Sequence, residues 1–352
     1  MLAWANRVFI GDIALLASAA CDIHQAALME MMRQLGRTGQ KITAIGLGCW
    51  QFSQRQNVSG MFWPTLSEEE IDQIVRVSLD GGINWFDTAE VYGWGRSEAL
   101  LARALRRCGR QPGDVVVATK WWPTFRGSAS LLESIDDRLA HLDGYPIDLY
   151  QIHHPLALAS TAGQMRAMAE LVRAGKIGAV GVSNWSARKM ERASVALEGH
   201  GLHLASNQVK YSMLDRRVEN NGVLEAARRL GVMIIAYSPL EQGLLTGKFH
   251  DDPDLVRGRQ GFRRFLPGFR RDRIIESRPL IAALREVGAR HDASPAEVAL
   301  NWLVSFHGPM VVAIPGATRV RHAMQNLRAM GFTLEQAELD RLDQLSRRFA
   351  RF

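Results

Sequence analysis

Gly82-Ile83-Asn84-Trp85-Phe86-Asp87-Thr88-Ala89-Glu90-Val91-Tyr92-Gly93-Trp94-Gly95-Arg96-Ser97-Glu98 is the stretch on which the chain is organised. Its first residues form a short apolar run that reads as a strand. The run breaks into a polar loop carrying Asp87, Thr88, Glu90 and Tyr92, punctuated by Gly93 and Gly95. A helix is predicted to start at Ser97. A carboxylate and a phenol therefore stand just past a strand end, between two rigid elements, which is where enzymes place chemistry.

The chain around this stretch has 352 residues, 47% hydrophobic and 22% charged. It can bury a large core within a single barrel-sized domain. The formal net charge of +7 favours anionic ligands such as nucleotide phosphates. Cys21, Cys49 and Cys108 are scattered and odd in number, so no disulfide framework is expected and a reducing, cytoplasmic location is. No apolar run reaches the roughly 18 residues that span a bilayer.

Residues 1–30 read differently from the rest. Arg7 precedes the apolar Ala14-Leu15-Leu16-Ala17, a superficial signal-peptide pattern, but Asp12 interrupts it. The simpler reading is an extension outside the core, with the folded domain spanning 31–352. Deletion of residues 1–28 is expected to leave folding and activity intact.

From Ile42 onward, short β-type runs alternate with helical periodicity. Strands are expected at 42–47, 83–86, 115–118, 147–152, 177–182, 204–209, 232–236 and 310–314. Helices fall between them, among them one from Ser67 and one from Ser130 to Leu142. Alternation of this kind implies parallel strands with right-handed crossovers. A closed (β/α)8 TIM barrel is the expected fold, with a doubly wound open sheet as the alternative. Gly46-Leu47-Gly48 and Gly93-Trp94-Gly95 both lack the third glycine of a dinucleotide-binding turn, which argues against the open sheet.

In a barrel, reactive groups gather at the C-terminal strand ends. Those ends carry Asp87 and Tyr92, then Lys120, His153 and His154, Ser183 and Asn184, Gln208, and Tyr237 with Ser238. A free phenol has a pKa near 10 and is a poor acid at neutral pH. A Lys120 cation beside Tyr92 is expected to lower it, with Asp87 holding the lysine and His153 orienting a carbonyl oxygen. Each of these residues taken singly also has an ordinary structural reading, as loop packing, a solvated lysine or a turn cap.

The run from Gly82 to Gly93 resembles the signature of the aldo-keto reductases, G-x-N-x-x-D-T-A-x-x-Y-G. Val117-Ala118-Thr119-Lys120 and Asp148-Leu149-Tyr150-Gln151-Ile152-His153 extend the resemblance. It implies a catalytic tetrad of Asp87, Tyr92, Lys120 and His153 and a nicotinamide cofactor. It further implies cofactor contacts at Cys49 and Trp50, at Ser183, Asn184 and Gln208, and along Tyr237, Ser238, Pro239, Leu240, Gln242, Gly243 and Lys248. A last set comprises Gly316, Thr318, Arg319, His322, Gln325 and Asn326. The helix after Gly316 would turn backbone N–H groups toward a phosphate. Arg319, Arg321 and His322 favour NADPH over NADH, although His322 and Gln325 depart from the residues many relatives carry.

The expected activity is NADPH-dependent reduction of an aldehyde or ketone. The alternatives are NAD(P)-dependent oxidation of an aldose or ring alcohol, and a nicotinamide-binding regulatory subunit like those of potassium channels. Those subunits carry Trp at the position of Tyr237, which favours the enzyme. Trp121, Trp122 and His154 are expected to wall the substrate, a small carbonyl compound, with Trp50, Trp63 and Trp94 on the rim. Arginines at 257–273 interleaved with Phe262, Phe265 and Phe269 admit a single-stranded nucleic-acid reading. A lid over an anionic dinucleotide explains them more simply, so no nucleic-acid, membrane or metal partner is expected. The sequence leaves the oligomeric state open.

Overall fold

Ser67 starts the helix Glu68–Asp80 by a reciprocal cap. Its hydroxyl accepts from the Glu70 N–H at 3.2 Å, and the Glu70 carboxylate accepts from the Ser67 N–H at 2.8 Å. The structure, a computed structural model, describes residues 29–56, 64–256 and 267–350. Residues 1–28, Trp63 and the arginines from Arg257 to Arg264 lie outside the described residues.

Two strands, β1 (Met32–Gln34) and β2 (Lys41–Thr43), pair antiparallel as a hairpin. Eight further strands follow: β3 (Leu47–Gly48), β4 (Trp85–Asp87), β5 (Val116–Trp121), β6 (Leu149–Ile152), β7 (Ala179–Ser183), β8 (Leu204–Lys210), β9 (Met233–Tyr237) and β10 (Val311–Ala313). Each pairs parallel with the next, from β3 through to β10. Parallel bridges Ile45–Ala313 and Gly48–Gly316 join the two ends of the sheet. The sheet therefore closes, and the open-sheet alternative falls.

The helices between and after these strands are α1 (Glu68–Asp80), α2 (Arg96–Arg107), α3 (Ser128–Glu133), α4 (Ile135–His141), α5 (Thr161–Arg173) and α6 (Ala187–Glu198). They continue with α7 (Val223–Leu230), α8 (Lys248–Asp251), α9 (Arg271–Arg290), α10 (Pro295–Ser305), α11 (Val320–Arg328) and α12 (Gln336–Ser346).

Two expectations need correction. The run from Ile42 to Leu47 is not one strand. Its first part is the hairpin strand β2, and the barrel strand starts only at Leu47. Gly46 lies between the two, where an added Cβ would fall 2.3 Å from the Trp85 ring. The helix expected from Ser130 to Leu142 begins at Ser128 and divides at Ser134, so that Ile135 and Arg138 on the second piece are both buried.

Strand alternation sorts the side chains into two cores. Leu35, Trp85, Ala118, Leu149, Ala179, Met233, Ile235 and Val312 fill the barrel interior. Phe86, Val117, Tyr150, Val182 and Ile234 face outward against the helices. The hairpin covers the N-terminal end, where Gln40 donates to Asp148 at 2.8 Å. The opposite end is left for the polar groups.

Candidate active site

The interior face of each strand continues past its apolar residues into a polar one. Asp87 follows Trp85 by two positions, Lys120 follows Ala118, and Gln151 and His153 follow Leu149. Alternation thus aims these side chains into the same end of the barrel. Lys120 is 0% exposed and Asp87 1%. The Lys120 ammonium bonds Asp87 Oδ1 and donates to the Thr88 carbonyl at 2.8 Å. Asp87 Oδ2 accepts from Gln208 Nε2 at 2.8 Å and from Gln151 Nε2 at 3.1 Å.

Tyr92 stands over this pair, with Lys120 Nζ 5.1 Å from the centre of its ring. The His153 ring meets Tyr92 edge-on at 5.6 Å, and Trp50 lies 6.2 Å from it. The four tetrad candidates therefore converge on one point of the mouth.

The ionisation of Tyr92 runs opposite to the sequence expectation. Burial pushes the phenol well above its usual value, and the Asp87 carboxylate adds to the rise. The net effect of the surroundings is a rise, with the Lys120 ammonium held in its ion pair with Asp87. Burial also lowers Lys120, against the pull of Asp87. His153 is held well below its ordinary value by burial, with Lys120 and His154 pushing the same way. At neutral pH the site thus presents a protonated phenol and a neutral imidazole. His153 Nδ1 has no hydrogen-bond partner among the described residues.

The nicotinamide candidates lie beside this cluster. Asn184, in left-handed backbone at φ +58°, donates to Ser183 Oγ at 3.1 Å and accepts from the Tyr237 hydroxyl at 3.1 Å. Gln208 donates from its amide nitrogen to Asp87 and, at 3.4 Å, to Gln151 Oε1. After Tyr237 the backbone turns repeatedly into positive φ, at Ser238, Glu241, Gln242, Gly243 and Gly247. Non-glycine residues in that region carry strain that accumulates at ligand sites. Pro239 is buried, Leu240 half-buried and Lys248 exposed on this loop.

Gly316 packs so closely on Gln51 that a Cβ would fall 2.2 Å from its amide. Thr318 donates its N–H to His322 Nδ1 at 3.3 Å. His322 is lowered to about 4, first by burial and then by Arg321, Lys248 and Arg319, so it is neutral at pH 7. Arg319 and Arg321 are exposed, and Gln325 is half-buried. Asn326 is 2% exposed, and its Nδ2 has no partner among the described residues. Gln325, Arg321 and Arg328 line a cavity of about 500 Å³, and Lys210, Arg217, Arg273 and Phe269 line another of about 350 Å³.

Two candidates do not reach the mouth. Trp121 is 0% exposed and faces the helices beneath the Arg126 guanidinium, 5.4 Å away. It alternates with Lys120, and only one of the two can point inward. The Cys49 side chain is likewise buried in the outer core, while its N–H donates to the Asp87 carbonyl at 2.8 Å. Trp122 does reach the mouth, edge-on to His153 at 5.2 Å and to His154 at 4.5 Å. His154 Nδ1 accepts from the Leu156 N–H, so Nε2 carries the proton shared with Thr124 Oγ1 at 2.7 Å. Gln151 was not singled out from sequence. The signal was its place two residues before His153 on the same face. Among the described residues, no group of three His, Cys, Asp or Glu could hold a metal ion. No described helix is long and apolar enough to cross a membrane.

Fold and site together define a closed (β/α)8 barrel with a buried ion pair and a phenol at the C-terminal mouth. Residues 44–347 match the model of the Aldo/keto reductase family. The chain belongs to that family and is an oxidoreductase. It is 37% identical over 311 residues to an uncharacterised oxidoreductase of Mycobacterium tuberculosis, covering 88% of this chain and 91% of the relative. A thermostable aldo-keto reductase solved with the inhibitor epalrestat superposes with a TM-score of 0.73 at 32% identity, covering 89% of this chain and 99% of that one. An aldo/keto reductase of Klebsiella pneumoniae, solved with NADP and acetate, gives 0.68 at 25% identity over 90% and 95% of the two chains.

Proposed function

We propose that the chain reduces aldehydes or ketones to alcohols with NADPH, using Tyr92 as the proton donor. Bound nicotinamide supplies the hydride that no side chain can provide. The residues present suit that cofactor: Asn184 and Ser183 offer an amide and a hydroxyl, and Tyr237 an aromatic face. The buried Asn326 amide and the positive-φ turns after Tyr237 further suit an anionic ligand.

The chain's own groups then account for the proton. Tyr92 holds its proton through neutral pH, so it is loaded for transfer to a carbonyl oxygen. The neutral His153 can donate a hydrogen bond to the same oxygen without competing as an acid. Lys120, 5.1 Å from the centre of the ring, is paired with Asp87 beneath it. The observation that carries the reading is the edge-on meeting of Tyr92 and His153 above the Lys120–Asp87 pair.

The test is a panel of aldehydes with NADPH, followed by absorbance. Kd values for NADPH and NADH are measured alongside. NADPH consumption with tighter NADPH binding is expected. Tighter NADH binding would reverse the cofactor preference, and inactivity across the panel would remove the reductase reading.

A further inference from the structure

We propose that Glu90 is a positioning residue that ties the loop carrying Tyr92 to the turn carrying Trp122, and thereby sets the shape of the substrate mouth. The proposal rests on the reductase reading for its substrate, a carbonyl compound with an aryl body.

Glu90 lies between Asp87 and Tyr92 and is 6% exposed. Its backbone N–H donates to the Lys120 carbonyl at 3.0 Å, at the end of β5. Its side chain reaches further along the same strand end. Oε2 accepts from the Trp122 N–H at 2.8 Å, and Oε1 accepts from Arg126 Nη1 at 2.7 Å. The same Arg126 nitrogen donates to the Trp122 carbonyl at 3.1 Å. Carboxylate and guanidinium thus grip both sides of one residue's backbone.

The turn they hold carries an exposed residue in left-handed backbone. Phe125 sits at φ +58° and is 86% exposed, so neither its backbone preference nor its burial fixes it. Arg126 closes the turn through its N–H to the Pro123 carbonyl at 3.0 Å, and its own carbonyl accepts from the Leu158 N–H at 3.0 Å. Thr124, inside the turn, holds His154. The Trp122 and His154 rings that border the mouth therefore rest on a turn that the Glu90–Arg126 ion pair ties to the loop of Tyr92. Arg138, 3.4 Å from Glu90 Oε1 and 3.1 Å from the buried Glu98, backs the pair from α4.

The geometry assigns specificity, not proton transfer, to Glu90. A small aldehyde needs only Tyr92 and His153, whereas an aryl aldehyde needs Trp122 in place. The experiment compares Glu90→Ala, Glu90→Gln and Arg126→Met with the native chain, on propanal and on a nitrobenzaldehyde. For Glu90→Ala and Arg126→Met the KM for the aryl substrate should rise about tenfold, while kcat and KM for propanal change less than about twofold. Glu90→Gln keeps an acceptor for the Trp122 N–H and should recover part of the loss.

Arg126 is partly exposed, so its variant tests the idea even where Glu90→Ala does not fold. Equal losses on both substrates, or none, would overturn the proposal. Hydrogen exchange of the 121–130 segment provides a reading independent of turnover. It should quicken in both truncations, and an unchanged rate would refute the bracket. A native chain inactive on both aldehydes would sink the reductase reading, and the exchange rates would still decide whether Glu90 holds the turn.

Discussion

Gln208 and Asp87, 121 positions apart in the chain, meet inside the barrel, where Gln208 Nε2 donates to Asp87 Oδ2 at 2.8 Å. Gln151 reaches the same oxygen, and Lys120 holds the other. One carboxylate is thus fixed from β5, β6 and β8. Its backbone is held at the end of β4, which pairs with β3 and β5.

Removing that carboxylate strands a buried ammonium. Asp87→Asn is expected to cost about 3–5 kcal/mol of stability, because Lys120 loses its counter-charge with no access to water. Gln208→Leu removes the hydrogen bonds to Asp87 and Gln151 and should cost about 1–3 kcal/mol. Urea unfolding separates the two. Equal losses would mean that the ion pair is not the dominant element.

Tyr92→Phe should lower kcat about 10²- to 10⁴-fold and leave the Kd for NADPH unchanged. The raised phenol also sets the pH response. The protonated form is the active one for reduction, and it persists to the usual phenol range near pH 10 and beyond. The kcat for reduction should therefore hold level from about pH 6 to about pH 9. A decline centred near pH 8 would falsify the assignment of an unacidified phenol.

The adjacent tryptophans should separate by phenotype. Trp121→Phe removes buried outer-core volume and should lower stability by about 1–3 kcal/mol, with KM unaffected. Trp122→Phe should raise KM for aryl aldehydes with little change in melting temperature. The reverse pattern would contradict the strand phase described for β5.

His322 should make the protein sensitive to acid. Its pKa of about 4 lies below the ordinary value of 6.5. Between these two values the unfolded chain binds a proton that the folded chain refuses. Stability is therefore full above 6.5 and falls as the pH drops toward 4. A shift of that size would carry about 3 kcal/mol, which partial exposure reduces to about 1–2 kcal/mol. His322→Gln should remove that share of the loss, read from urea midpoints at pH 7 and pH 4.5. An unchanged pH dependence would place the acid response elsewhere.

Much of this protein was legible in its sequence because local signals and the global fold agree. Apolar periodicity marked seven of the barrel strands in order and ran the first into the hairpin, and the strand ends and the residues after them gave the candidates Asp87, Tyr92, Lys120 and His153. Tertiary structure decided which face each side chain takes. Strand phase near a rim depends on where pairing with the neighbour ends, so Trp121 went to the outer core and Trp122 to the mouth. Gln151, two positions before His153, entered the ion-pair network for the same reason. The tertiary fold also decided the charge state of the phenol. The ionisation of a tyrosine depends on its burial and on what charges lie within a few ångströms, and only the closed barrel buries Tyr92 and brings Asp87 near it.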